Sequence, residues 1–307
     1  MRAVVAVGVF DGLHLGHDAI LKRAAQAAAA DGLHTVVVTF DPHPDIVLAR
    51  PFRVVLPLTP IPEKRERLRA RGVEHLEVIP FTRELAGLEP EAFVRAHLVR
   101  PFGMLRLVVG ADFALGKGRA GHVLRLAEIG KELGFAVDAV PLLEVDGGPV
   151  SSSRVRALLG EGRVAEAARL LGRRYDLGGR VVPGEAVGRT LGYPTANLRL
   201  HEEKFLPADG VYAAWARLEG EPLLRPAAAS LGTRPTFDGA AHAIEAHLLD
   251  WNGDLGGREL SIELVDWVRG QERFDGPEPL RAAMTRDVAA VRGRLAADRP
   301  GVPSASP

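Results

Sequence analysis

The 307-residue chain contains no cysteine. That excludes disulfides, thiolate metal sites and cysteine nucleophiles, and it points to a reducing cytoplasm. Lysine is scarce: Lys22, Lys64, Lys117, Lys131 and Lys204 are the only lysines among 39 basic residues. The arginine excess reads as codon bias, because 39 acidic residues bring the formal net charge to zero. Without a surplus of either sign, the chain is not expected to be a dedicated nucleic-acid or membrane-surface binder. No apolar run is long enough to span a bilayer. No basic-then-apolar leader is visible, since Met1-Arg2 runs straight into a strand-like segment. Hydrophobic residues make up 47%, enough to build one large domain or two ordinary ones. A soluble cytoplasmic protein is expected, with no nucleic-acid or membrane partner and no obligate protein partner apparent.

The first half alternates two patterns. Strand-like runs are Ala3–Phe10, Thr35–Phe40, Glu74–Ile79, Leu105–Gly110 and Ala136–Val140. Helix-like runs are Asp18–Ala30, Glu63–Arg71, Glu91–Val99, Ala120–Leu133, a segment after Ser151-Ser152-Ser153, and Val164–Leu171. Strands alternating with helices predict an α/β domain with a parallel sheet. At about Gly172 the pattern changes. Arg173-Arg174-Tyr175-Asp176 reads as a linker, and short strand-like runs broken by Gly, Pro and Asp follow. Their spacing predicts an antiparallel barrel. A last helix, Pro279 to Ala297, carries Leu280, Met284, Val288, Val291 and Leu295 on one face, placed to pack across that barrel. The expected division is 1–172, 173–297 and a disordered tail over 298–307.

The stretch with most chemistry is Gly8-Val9-Phe10-Asp11-Gly12-Leu13-His14-Leu15-Gly16-His17. Two imidazoles stand where a strand hands over to a helix, the place where open α/β sheets bind ligands. A helix N-terminus there offers N–H groups and a positive dipole end to an anion. Gly16 has no Cβ to keep the backbone away from it. A nucleotide phosphate is the expected ligand. Zinc lacks a third clustered ligand, and surface histidines are the plainer alternative. Donors at such a turn can stabilise charge on a transferring phosphoryl group without a covalent nucleophile. In the second half, Gly188-Arg189-Thr190-Leu191-Gly192-Tyr193-Pro194-Thr195-Ala196-Asn197 is a Gly-rich loop followed by a rigid proline, a hydroxyl and an amide. Hydroxyl and amide oxygens are hard ligands suited to Mg²⁺, although the loop lacks the Gly-Lys-Ser/Thr ending of a P-loop. Taken alone, the same residues fit a structural turn.

These residues resemble a known family in order along the chain. The first stretch resembles the signature of the H-x-G-H nucleotidyltransferases, which have a Rossmann-like fold. Thr39-Phe40-Asp41-Pro42-His43-Pro44, Val109-Gly110-Ala111-Asp112-Phe113 with Gly116-Lys117-Gly118-Arg119-Ala120-Gly121, and Ser151-Ser152-Ser153-Arg154-Val155-Arg156 resemble further segments of bacterial bifunctional riboflavin kinase/FAD synthetase. Gly192-Tyr193-Pro194-Thr195-Ala196-Asn197, Gly210-Val211-Tyr212, Gly232-Thr233-Arg234-Pro235-Thr236-Phe237 and Ile244-Glu245-Ala246-His247-Leu248-Leu249-Asp250 resemble its kinase half.

The resemblance implies phosphorylation of riboflavin to FMN in the barrel and adenylylation of FMN to FAD in the first domain. ATP is the co-substrate and Mg²⁺ the cofactor of both steps. In the first domain, Gly8, Phe10, Asp11, His14, Gly16, His17, Asp112, Ser151, Ser152 and Arg156 would bind ATP. Of these, His14 and His17 would contact its phosphates during transfer. In the barrel, Gly188, Gly192, Pro194, Thr195 and Asn197 would bind ATP, Thr195 and Asn197 also meeting Mg²⁺. Glu245 would be the general base, and Phe113 and Arg269 would contact flavin.

Simpler roles stand beside these. The serines can be N-caps, Asp112 a turn former, Phe113 a core residue, and Glu245 or Arg269 an ion-pair or surface charge. Retention of one activity only, or a flavin-binding protein related to nucleotidyltransferases, are the alternatives; both motif sets, with His14, His17 and Glu245, are present. Ala114, Ser230, Gly256 and Gln271 depart from the family pattern on the flavin side.

Overall fold

A computed structural model describes residues 2–48, 56–184, 187–236 and 239–298. The chain forms two compact units, Met1–Ser152 and Ser153–Pro307.

In the first unit, β1 (Ala3–Val7), β2 (His34–Asp41), β3 (His75–Pro80), β4 (Met104–Gly110) and β5 (Ala136–Val140) form one parallel sheet in the order β3-β2-β1-β4-β5. The sheet is buried on both faces, as crossover helices require. Val5, Val7, Val36, Val38, Leu107 and Val109 join one core cluster; Val4, Ala6, Val37 and Val108 join the other. The second cluster takes Leu21, Ala24, Ala27 and Ala28 from α1 (Leu15–Asp31). Small residues on that face let the helix lie close to the strands. Two further helices are α2 (Ile61–Ala70), and α3 (Val123–Leu133), which is capped by His122. The expected strand over 3–10 stops at Val7, because residues 8–14 form the turn that builds the site. The expected helix over 91–99 is Pro90–Val94 followed by a π-helical turn, Arg95–Val99.

Helix α4 (Ser152–Gly160), which lies in the second unit from residue 153 onward, and α5 (Val164–Leu171) precede a closed six-stranded antiparallel barrel. Its strands are β6 (Tyr175–Val182), β7 (Ala196–Leu200), β8 (Gly210–Leu218), β9 (Leu224–Thr236), β10 (Gly239–Leu248) and β11 (Glu259–Gly270), in the order β6-β7-β10-β9-β8-β11. The interior is lined by alternating buried residues such as Ala227, Ala229, Leu231, Ile244, Ala246 and Leu248. The C-terminal helix α6 (Pro277–Ala297) lays Val291 and Leu295 on Ala213 and Trp215 of β8. Arg173-Arg174-Tyr175-Asp176 is not a free linker. Tyr175 opens β6 with its ring fully buried, and its hydroxyl donates to Phe205 O at 2.6 Å. Asp298, at the head of the tail, accepts from Arg174 at 2.8 Å and from Trp215 Nε1 at 2.7 Å; residues 299–307 lie outside the described residues.

Candidate active sites

The turn between β1 and α1 uses left-handed backbone at Phe10 (φ 49°), Gly12 (φ 83°) and Leu13 (φ 44°). For Phe and Leu this conformation costs about 1–3 kcal/mol each and persists only where the surroundings hold it. They do so at several points. The side chains of Phe10 and Leu13 are fully buried. The Val9 carbonyl accepts from Thr39 Oγ1 at 2.9 Å and from Lys64 Nζ at 2.8 Å. The Asp11 carboxylate, 1% exposed, accepts from the amides of Leu58 (3.2 Å) and Thr59 (3.1 Å). The Asp11 carbonyl accepts from Ser152 Oγ at 2.8 Å. Phe10 and Asp11, expected at ATP, thus also build the turn beneath the histidines.

The turn presents the two imidazoles as a pair. His14 is the N-cap of α1, and its Nδ1 accepts from the His17 amide at 3.3 Å. On that hydrogen-bond assignment a neutral His14 carries its proton on Nε2 and is a donor there. The rings stack with centroids 3.7 Å apart and planes 13° apart, and Phe10 leans on His17 at 5.2 Å. A Cβ at residue 16 would lie 3.2 Å from the His14 ring, so Gly16 makes room for the stacked pair. Burial pushes the Lys64 ammonium below the usual lysine range, against the opposing pull of Asp11 and Asp41.

The remaining first-domain candidates take varied places. Gly8 follows β1, and its amide donates to Val38 O at 3.1 Å. Asp112 is exposed just beyond β4, and Phe113 packs partly buried on the core. Ser151 is half-buried. Ser152 donates its one hydroxyl proton to Asp11, and Arg156 follows four residues later on the same face of α4. His43 Nδ1 accepts from the Asp45 amide at 3.1 Å, beside a cis Asp41–Pro42 bond.

In the barrel, Asn197 of β7 pairs with Glu245 of β10, and Glu245 pairs on its other side with Ser230 of β9. Paired residues project to the same face. Thr195 Oγ1 donates to Glu245 Oε2 at 3.1 Å, which brings Thr195, Asn197 and Glu245 together. The loop before them is tight: the Tyr193 amide donates to Gly188 O at 2.8 Å, and a Cβ on Gly188 would lie 2.3 Å from the Tyr193 carbonyl. Gly192 has φ 87°. The Pro194 carbonyl accepts from His247 Nδ1 at 2.8 Å, and the hydroxyls of Tyr193 and Thr285 are 2.8 Å apart. Arg269 forms a two-pronged pair with Asp287 of α6, at 2.8 and 2.7 Å. Two departures from the family pattern meet, since Gln271 Nε2 donates to Ser230 Oγ at 3.0 Å and to Leu231 O at 2.7 Å. Among the described residues no group of three or more His, Cys, Asp or Glu could hold a metal ion.

Sequence reasoning gave no role of their own to Lys64, to Thr39 or to His247, although the last two lie in the family-like segments. The first had a signal: Lys64 and Leu68, four apart, are the buried positions of α2, an unusual place for a lysine.

Two families match consecutive parts of the chain: FAD synthetase over residues 1–154 and riboflavin kinase over 171–295. A protein of Listeria monocytogenes named bifunctional riboflavin kinase/FMN adenylyltransferase is 38% identical over 288 residues, covering 94% of this chain and 90% of the relative. The chain belongs to the bifunctional riboflavin kinase/FMN adenylyltransferase family. A bifunctional riboflavin kinase/FMN adenylyltransferase of Escherichia coli K12 is 36% identical over 94% of this chain and 91% of its own. A crystal structure described as a macrolide-efflux protein from Streptococcus pneumoniae has TM-score 0.86 and 33% identity, covering 95% of this chain and 94% of that one. Among the described residues, no helix is long and apolar enough to cross a membrane. The first unit therefore carries the FAD synthetase part of this family and the barrel its riboflavin kinase part.

Proposed function

We propose that the two sites carry out two consecutive steps of flavin cofactor synthesis, with the functional boundary near Gly172. The barrel phosphorylates riboflavin: its 5′-hydroxyl oxygen attacks the γ-phosphorus of ATP, ADP leaves, and the hydroxyl proton passes to Glu245. The first domain adenylylates FMN: an FMN phosphate oxygen attacks the α-phosphorus of ATP, and pyrophosphate leaves. The observation that carries this reading is the convergence of Thr195 and Asn197 on Glu245 in one place and the stacked His14–His17 pair at the β1–α1 turn in the other.

A carboxylate suits the first step because it can orient the attacking hydroxyl and take its proton late. Held by Thr195, Glu245 keeps one orientation. The Thr195 hydroxyl and the Asn197 amide oxygen are hard donors that would fit Mg²⁺ held mainly by ATP, leaving the Glu245 carboxylate to act as base. Bound there, the ion neutralises charge on the phosphates. In the second step the chain's work is positioning and electrostatics. His14, as an Nε2 donor, and His17 steady the phosphates, and Ser151, Arg156 and the main-chain amide of Ser152, whose hydroxyl proton is committed to Asp11, hold the future pyrophosphate at the start of α4. Gly8 and Asp112 border the same nucleotide, and Phe113 and Arg269 are the flavin-side contacts. The lack of cysteine fits a cytoplasmic enzyme.

Separate variants test the division. His17→Ala is expected to stop FAD formation while FMN still accumulates from riboflavin. Glu245→Gln is expected to stop FMN formation and leave FMN-to-FAD conversion intact. A folded variant that loses both reactions would contradict the two-site reading.

A further inference from the structure

We infer that Lys64 and Thr39 are positioning residues for adenylyl transfer, acting through the main-chain carbonyl of Val9. The inference rests on the reading of His14 and His17 as the phosphate-contacting pair.

Lys64 is 3% exposed and sits in α2 beside the buried Leu68. Lysine is almost never fully buried unless paired, because an ammonium gives up its hydration. A leucine or methionine would fill the same space without that cost. The ammonium therefore has a task that an apolar residue cannot perform. Its hydrogen bond goes to the Val9 carbonyl at 2.8 Å. That carbonyl has two lone pairs, and Thr39 Oγ1 from β2 takes the other at 2.9 Å. Two side chains from two elements thus fix one peptide of the turn.

The fixed peptide is the one that needs fixing. It directly precedes the residues in left-handed conformation, Phe10, Gly12 and Leu13, which lead into His14. A turn holding Phe and Leu at positive φ relaxes when its restraints are removed. Relaxation at Val9 would swing the N-cap histidine, and with it the stacked His14–His17 pair. The buried Asp11 carboxylate, bonded to the Leu58 and Thr59 amides, secures the turn one residue past Phe10 and leaves the Val9 end to Lys64 and Thr39.

Four variants of the full chain test this, each assayed with MgATP for FMN to FAD and for riboflavin to FMN. Lys64→Met keeps the shape and removes the donor together with the positive charge that faces Asp11 and Asp41, whereas Thr39→Val removes only a hydroxyl and Thr39→Ser restores it. His17→Ala tests the parent reading. Misplacing reacting groups by about 1 Å costs about 100-fold. Lys64→Met is accordingly expected to lower kcat for FAD formation by about 30–100-fold, with KM for ATP within about threefold of wild type. Riboflavin phosphorylation should be unchanged. Thr39→Val should lower the same kcat by a smaller factor, about 3–10-fold, and Thr39→Ser should recover it. Amide exchange at residues 8–14 should quicken in Lys64→Met and Thr39→Val. FAD formation within threefold of wild type in both these variants overturns the inference. So does a loss that lies wholly in KM for ATP, which would make Lys64 a nucleotide ligand. So does a Thr39→Ser variant as impaired as Thr39→Val. If Lys64→Met does not fold, the Thr39 pair decides: no difference between valine and serine refutes the restraint on Val9. Full FAD synthesis by His17→Ala would instead overturn the parent reading.

Discussion

Gly184→Ala isolates one contact in the proposed kinase site. Gly184 is exposed, two residues past the end of β6. A Cβ there would lie 2.0 Å from Asn197 Nδ2, and 2.5 and 2.8 Å from the rest of the amide. Ordinary contact starts near 3.4 Å, so the amide must retreat by about 1.4 Å. The amide is the end of a flexible side chain, so the fold accommodates the methyl, and the change in stability should stay within about 0.5 kcal/mol. Function is less tolerant. A displacement of about 1 Å at a reacting centre costs about 100-fold, or about 2.7 kcal/mol of transition-state stabilisation. The assay is riboflavin to FMN at saturating MgATP, with the products separated by chromatography. FMN to FAD, measured on the same sample, serves as the control. The expected result is an unchanged melting temperature, intact FAD formation, and kinase turnover lowered by about 100-fold. Kinase turnover within threefold of wild type would refute the placement of Asn197 at the reacting phosphate.

Other changes have equally specific outcomes. Gly16→Ala puts a methyl 3.2 Å from the His14 ring and should slow FAD formation about tenfold while FMN formation is unaffected, as read by the same two assays. Burial, and then Asp209, raise the Tyr212 phenol above its ordinary 10.0. The folded barrel keeps a proton that the unfolded chain releases, so this stabilisation is complete below pH 10 and fades as pH rises beyond it. Tyr212→Phe should flatten that fall in a urea series run at increasing pH. Asp298→Ala removes the acceptor shared by Arg174 and Trp215 and should destabilise the barrel by about 1–3 kcal/mol in chemical denaturation.

Much of this was legible in the sequence because the signals were periodic or punctuated. Five apolar runs separated by amphipathic runs gave the parallel sheet, and the short runs after Gly172 gave the barrel. Arg173-Arg174-Tyr175-Asp176 reads as linker because two arginines precede the tyrosine, yet the closed barrel buries its ring. The motif residues were legible, but the division of labour within a motif was not. Phe10 and Asp11 support the turn that presents His14 and His17, and Arg269 reaches the buried Asp287 rather than standing unpaired. Such pairings depend on residues 18 to 48 positions apart, which only the fold brings together. Lys64 shows the same limit: 55 positions separate it from the carbonyl it holds.

The most direct test of the account is a time course of the purified chain with riboflavin and MgATP and no other enzyme. FMN should appear first and FAD after it, with one ADP and one pyrophosphate released for each FAD formed. Formation of neither flavin nucleotide, or of FMN that never proceeds to FAD with ATP in excess, would contradict the assignment of two working sites to this chain.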